Sequence, residues 1–238
     1  MKPVVFAADL HLDPARPEAV AAFTAFLTRC RNAQALYLLG DLVEAWIGDD
    51  DPAEELAEAF AAVRALRAHG VPVYFIAGNR DFLLGAERAA ALGMTRLEEP
   101  VRIELDGHPT LLLHGDVLCT DDHAYQALRR QLRDPAWQAA FLARPLAERR
   151  AYAAQLRAAS RTATQTKAEA IMDVNAQAVA EWMRRHAVDR LIHGHTHRPA
   201  VHRFELDGRP VERWVVGDWY RRGTVLIVDA AGWRLEAV

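Results

Sequence analysis

The sequence predicts an α/β fold: two sheets forming a sandwich core, with a helical cap inserted between their strands. Three features predict it. Short apolar, β-rich runs alternate with amphipathic stretches up to Ile76, an order that calls for a largely parallel sheet covered by helices. Later runs pair up around Asp106-Gly107 and Asp207-Gly208, both hairpin signals. Between the hairpins lies a long stretch, 121–168, that reads as wholly helical and is rich in Ala, Arg and Gln.

In chain order, Val4–Ala8 is the first strand and runs into Asp-Leu-His-Leu-Asp. Glu18–Cys30 places Val20, Phe23 and Leu27 at helical spacing. Ala35–Leu39 is the second strand, stopped by Gly40-Asp41. Ala53–His69 is helical and ends at Gly70, a C-terminal cap glycine. Val73–Ile76 is the third strand and meets Gly78-Asn79-Arg80-Asp81. Val101–Leu105 and Thr110–Leu113 form the first hairpin. In the helical stretch, Pro135 and Pro145 mark breaks or helix starts. A further helix covers Ala170–His186, and a strand over Val188–Ile192 leads to His193-Gly194-His195-Thr196-His197. Val201–Leu206 and Val211–Val216 form the second hairpin, and Thr224–Val228 is the last strand. The expected organisation is a core of 1–120 and 169–238 with a cap at 121–168.

Composition narrows the function class. At 51% hydrophobic residues the chain is too apolar to be disordered, yet no apolar run approaches the roughly 18 residues of a spanning helix. Cys30 and Cys119 make neither a disulfide framework nor a CxxC metal knuckle. The apolar opening is too short for a signal sequence, so a cytoplasmic protein is expected. The net charge of −3 hides an asymmetry: residues 124–168 hold nine basic and two acidic side chains, +7, which leaves −10 elsewhere. Basic residues are attracted to anionic lipid surfaces, so the cap predicts reversible, peripheral membrane contact.

The chemistry sits where strands stop. Asp9 and His11 follow the first strand, Asp41 the second, Asn79 the third, His114 the first hairpin, and His195 and His197 the strand near residue 190. Carboxyl ends of strands in an open α/β sheet converge on one rim, so these residues can meet. Two carboxylates, four imidazoles and an amide suit two borderline divalent ions. The Asp-x-His and His-x-His spacings would aim each pair to one side of an extended chain, making each a chelate.

Asp9-Leu-His11, Gly40-Asp41, Gly78-Asn79, His114-Gly115-Asp116 and Gly194-His195-Thr-His197 together resemble the calcineurin-like metallophosphoesterases. Longer strings, among them Gly78-Asn-Arg-Asp-Phe-Leu-Leu-Gly85 and His193-Gly-His-Thr-His-Arg-Pro-Ala-Val201, resemble the UDP-2,3-diacylglucosamine diphosphatase family within that group. The resemblance implies hydrolysis of a lipid-linked nucleoside diphosphate to UMP and 2,3-diacylglucosamine 1-phosphate in lipid A biosynthesis. It implies one metal on Asp9, His11 and His197, a second on Asn79, His114 and His195, and Asp41 between them. Two Mn²⁺ ions are expected, and the ligands suit Fe²⁺ or Zn²⁺ as well.

Asn79, Arg80 and His195 are the expected catalytic residues. Arg80 stands where the wider group has a His, which suggests a charge clamp on the diphosphate. By matched position Asp122, Ser160, Thr164 and Lys167 contact substrate, together with Asn79, Arg80 and His195; Thr164 departs from the family's Asn. Trp46, Phe82, Tyr125, Leu128, Phe141, Tyr152 and Leu156 are expected to line an acyl chamber. The partners expected are the lipid substrate and an anionic membrane surface, without nucleic acid, for a monomer at the inner face of the inner membrane. The alternatives are another dinuclear-metal phosphodiesterase or nuclease, and a non-catalytic scaffold. Arg80 weighs against the first and the full ligand set against the second.

Overall fold

The computed structural model describes residues 2–166, 173–220 and 223–238, with the side chains of 160–166 excluded. Strand β1 (Val4–Ala7) shows how the layers form, because all four of its residues are buried. Successive strand side chains point to opposite faces. Val5 and Ala7 meet Phe23, Phe26 and Leu27 of helix α1 (Pro17–Arg29) and Phe60 and Val63 of α2 (Ala57–Ala68). Val4 and Phe6 turn the other way, towards Leu112, Ile192 and Trp214 of the second sheet. A strand covered on both faces has no room for alternating polar residues, which is why it reads as a continuous apolar run.

The first sheet has six strands. Beside β1 lie β2 (Ala35–Leu39), β3 (Val73–Ile76) and β4 (Thr95–Leu97), all parallel, with helix α3 (Ala86–Ala91) leading into β4. The second sheet starts with the hairpin β5 (Val101–Leu105) and β6 (His108–Leu112), followed outward by β7 (Arg190–His193), which runs parallel to β6. It closes with the hairpin β8 (Ala200–Leu206) and β9 (Arg209–Val215). On the far side of the first sheet, β10 (Thr224–Asp229) pairs antiparallel with β1 and with β11 (Gly232–Ala237). Both Asp-Gly pairs adopt positive φ at each residue, as a two-residue I′ turn requires.

Helices α4 (His123–Leu132), α5 (Pro135–Leu142) and α6 (Leu146–Thr166) occupy the inserted stretch, and both prolines sit at helix starts. They are not an appendage. Phe141 belongs to the same buried cluster as Trp46, Leu83 and Phe75, and Trp137 and Tyr152 pack against it. The expected helix over Ala170–His186 is shorter in its described part: α7 covers Ala176–His186. The Asn175 side chain accepts from the Gln177 and Ala178 amides (2.9 and 3.0 Å), a cap that starts the helix there. Among the described residues no helix is long and apolar enough to cross a membrane.

The charge asymmetry finds much of its explanation inside the protein. Arg129 bonds Asp116 (2.7 Å), Arg150 lies 3.1 Å from Asp51, Arg157 3.8 Å from Asp13, and the buried Arg149 grips Asp50 and the Ile47 carbonyl. Arg133 donates to the Gly78 carbonyl (2.9 Å). Basic helices face an acidic core across their own contact. Arg130 and Arg144 remain exposed.

Candidate metal centre

Five loops following β1, β2, β3, β6 and β7 carry the expected ligands, and their backbones are tied together. The Asp9 amide donates to Gly40 O (3.1 Å), His11 N to Asp41 O (2.9 Å) and Gly194 N to His114 O (2.8 Å). The buried Asp81 carboxylate accepts from Gly78 N (2.7 Å) and Leu42 N (2.6 Å), joining the loops after β2 and β3. Those loops are so close that a Cβ on Gly78 would collide with the Asp41 carboxylate and amide, so only glycine fits.

All seven expected ligands come together, but not as extended pairs. Asp9, His11, Asp41, His195 and His197 have φ of 55°, 47°, 52°, 66° and 55°. Left-handed backbone at five of seven ligand positions costs energy at each, and such strain clusters at functional sites. It also separates His195 from His197. His197 Nε2 lies 3.2 Å from His11 Nε2 and 3.7 Å from Asp9 Oδ1. His195 Nδ1 instead lies 3.0 Å from Asn79 Oδ1, which is 2.9 Å from His114 Nε2. Only the Asp9–His11 pair serves as the single chelate that the spacing suggests.

Asp41 stands between the groups: Oδ2 is 3.7 Å from His11 Nε2, and Oδ1 3.7 Å from His114 Nε2. Neighbours fix the imidazoles. His114 Nδ1 is 2.9 Å from the Leu39 carbonyl and His11 Nδ1 3.1 Å from Glu44 Oε2, so each ring presents its Nε2 lone pair to the cluster. Tyr220 donates to Glu44 (2.8 Å) and stacks on His11, with ring centroids 4.9 Å apart. On the other side the Glu99 carboxylate accepts from His114 N (2.8 Å), and Tyr125 donates to Asp116 (2.9 Å).

The donor set fits divalent cations. Asp9 Oδ1 is buried without a hydrogen-bond partner among the described residues. Two imidazole nitrogens face each other at 3.2 Å, and among the described residues the buried Asp9 and Asp41 carboxylates form no ion pair with Lys or Arg. Asp9, His11 and His197 form one metal-capable group and Asp9, Asp41 and His114 another; Asn79 and His195 adjoin the second.

The electrostatics show what a cation would relieve. Burial, together with Asp41, pushes Asp9 up to about 7. Burial opposes charge on His114, but Asp41, Asp116, Asp9 and Glu99 outweigh it and raise the ring to about 9. Burial, with neighbouring imidazoles, depresses His195 to about 4 and His197 to about 3. Metal-free protein therefore holds its site protons on Asp9, on His114 and on His11, whose charge burial opposes but Glu44, Asp41 and Asp9 favour. Stabilisation from these raised groups is lost as pH rises through about 7 and then about 9. The depressed histidines act oppositely, but their contribution is complete once pH passes the ordinary histidine value, about 6.5. Chelator-treated protein should thus lose melting temperature from about pH 7 to 9, and added Mn²⁺ should raise it more at pH 9 than at about pH 6. A gain that shrinks with rising pH would contradict this account of the site.

A narrow cavity of about 130 Å³ opens beside the cluster, with Asn79, Arg80, Asp116 and Tyr125 at its polar end. All seven side chains expected to form an apolar chamber line it, joined by Trp137, Leu83 and Leu132. Tyr125 differs from the others, since its hydroxyl is committed to Asp116 and its ring lies 5.5 Å from His195. Asp122 is buried and caps α4 by accepting from Tyr125 N (3.0 Å). The Ser160 and Thr164 side chains, and Lys167, lie outside the described residues.

A family profile described as calcineurin-like phosphoesterase matches residues 2–199. This chain belongs to that family. Among curated phosphoesterase relatives, the UDP-2,3-diacylglucosamine hydrolase of Xanthomonas oryzae pv. oryzae (strain PXO99A) is 51% identical over 240 residues, covering 98% of this chain and 97% of that protein. The protein of the same name from Stenotrophomonas maltophilia (strain K279a) is 50% identical over 242 residues, covering 98% of both. A phosphoesterase of this family uses divalent metal ions, and Asp9, His11, Asp41, His114 and His197 are candidate ligands for them. Glu44, Asp81, Glu99 and Tyr220 support the candidate cluster without having been singled out from sequence. Asp81 lies inside the Gly78–Gly85 string and Glu44 three residues after Asp41, whereas nothing local marks Tyr220.

Proposed function

We propose that the protein hydrolyses the diphosphate of UDP-2,3-diacylglucosamine, with water attacking the α-phosphorus to give UMP and 2,3-diacylglucosamine 1-phosphate. The observation that carries this reading is a ligand cluster at the polar end of an apolar cavity, in a chain half identical to hydrolases named for that substrate. Asp9, His11, His197, Asn79, His114, His195 and Asp41 would hold two ions, with Mn²⁺ the proposed metal. Such ions acidify water and offset charge on phosphoryl oxygens. Arg80 adds a guanidinium at the polar end, where it faces the diphosphate. Asn79 and the His195 imidazole orient the phosphoryl group. The aromatic side chains of the cavity take the acyl chains, but 130 Å³ is below the ~300–1,000 Å³ typical of ligand sites. Acyl binding on this reading requires α4–α6 to part.

Incubation of the Mn²⁺-loaded enzyme with the substrate in ¹⁸O-labelled water tests the reaction. Label should appear in UMP; label in the lipid phosphate would place attack at the other phosphorus, and no turnover would refute the reading.

Substrate of this kind resides in a membrane, and the proposed contact is peripheral, on the cytoplasmic face. Among the described residues, Arg129, Arg149, Arg150 and Arg157 are paired internally, and exposed Arg130 and Arg144 can contribute about 1 kcal/mol each. Flotation with anionic vesicles should therefore show weak binding that salt abolishes, and binding indifferent to salt would exclude this face as the contact.

A further inference from the structure

A second cavity, of about 230 Å³, lies at the rim of the second sheet. It shares no lining residue with the apolar one. Its wall includes Thr196, which sits between the ligands His195 and His197, and also Ala200 and Val215, directly paired across β8 and β9. The cluster is thus bordered by an apolar slot at Asn79 and Arg80 and by a polar pocket at Thr196. A diphosphate with a lipid on one side and a nucleoside on the other presents that same sequence of chemistries.

The polar pocket has a definite hydrogen-bonding pattern. Asp173 stands between two guanidinium groups, with Oδ2 3.5 Å from Arg198 Nη1 and Oδ1 3.9 Å from Arg213 Nη1. Arg213 is 8% exposed and held by His193 Nε2 at 3.0 Å. Asp173 Oδ1 also accepts from Val174 N (2.7 Å), but neither ion pair is a closed fork, so Asp173 Oδ2 and both guanidinium groups keep bonding capacity. The Thr196 hydroxyl is buried without a hydrogen-bond partner among the described residues. Donor, acceptor, donor is the complement of a uracil edge, which offers a carbonyl, an N–H and a carbonyl in turn. Cytosine replaces one carbonyl by an amino donor and the N–H by an acceptor, and would oppose both Asp173 and a guanidinium.

We propose that this pocket seats the uridine of the substrate, with Asp173 accepting from the pyrimidine N3–H and Arg198 and Arg213 donating to the flanking carbonyls. The proposal rests on the diphosphatase reading for its occupant. Its test measures binding rather than turnover: UMP, CMP and inorganic phosphate are titrated separately into the Mn²⁺-loaded protein.

Wild-type protein should prefer UMP to CMP by about tenfold or more, the cost of mismatching a base edge. Asp173→Asn should bring that ratio near one, because an amide can present either a donor or an acceptor. Ala200→Trp, which fills the pocket from the first residue of β8, should weaken both nucleotides. Neither change should alter phosphate binding, and that control separates a filled pocket from a damaged metal site. Equal wild-type binding of UMP and CMP, or an unchanged ratio in Asp173→Asn, overturns the proposal. If the lipid diphosphate is not hydrolysed but the nucleotide preference and its loss are seen, the pocket stands and the reaction assigned to the protein falls.

Discussion

Asp41→Asn should lower hydrolysis of the lipid diphosphate by on the order of 10³-fold or more, beyond the 10–100-fold typical of residues that merely support a ligand. The carboxylate is 2% exposed and has one oxygen towards His11 and the other towards His114. Its Oδ1 also accepts from the Arg80 amide at 2.8 Å. An asparagine of the same shape can keep that last bond only by leaving its oxygen there. Its NH₂ then faces His11 Nε2, occupying with donor protons the space a cation needs. The variant should therefore fold, yet bind fewer than two ions per chain. Metal content by elemental analysis and the melting-temperature gain with Mn²⁺ should fall together with activity. Full ion content with the activity lost would instead make Asp41 a residue of the chemical step alone. Retention of both would remove it from the site.

Much of the scaffold was legible because its signals are local. Strands β2 and β3 occupy the residues expected of them, since a doubly covered strand must be apolar and a glycine-containing loop must end it. The ligands were legible for a related reason: polar residues of metal-binding type directly follow apolar strands. Their backbone conformation was not. Left-handed φ at Asp9, His11, Asp41, His195 and His197 is imposed by neighbouring loops, and no residue preference of Asp or His demands it. Glu44 and Tyr220 were missed because they meet only in space, 176 residues apart. The short β4 and the terminal β11 carry little periodicity of their own and depend on their partners β3 and β10. Charge was legible as an amount but not as a destination. The +7 of the inserted helices pointed to an anionic membrane surface, and the internal pairing of four of its arginines with carboxylates of the core was not visible in the sequence.

Arg80→Ala should cost about 10²–10³-fold in turnover of the diphosphate, the usual effect of deleting one donor aimed at developing phosphoryl charge. Arg80 is half-buried beside Asn79, and its Nε is buried without a hydrogen-bond partner among the described residues. Its positive charge reaches the site, where it helps hold the Asp41 and Glu44 carboxyls below their ordinary range against the opposing effect of burial. The alternative role, protonating the leaving group, asks for a proton that a guanidinium does not release near neutral pH. The leaving group asks for little, because a sugar phosphate with a second pKa of about 6 departs as a stable anion. Arg80→Lys should recover part of the rate by restoring charge without the planar fork. A phosphodiester with one negative charge should lose less from Arg80→Ala than the diphosphate does, because less charge lies within reach of the guanidinium. The pH dependence separates the two roles. A clamp leaves the basic limb of the pH–rate profile in place when Arg80 is removed, and lowers the whole curve. A general acid takes that limb away with it, and such a result would return Arg80 to the role that His holds in the wider group.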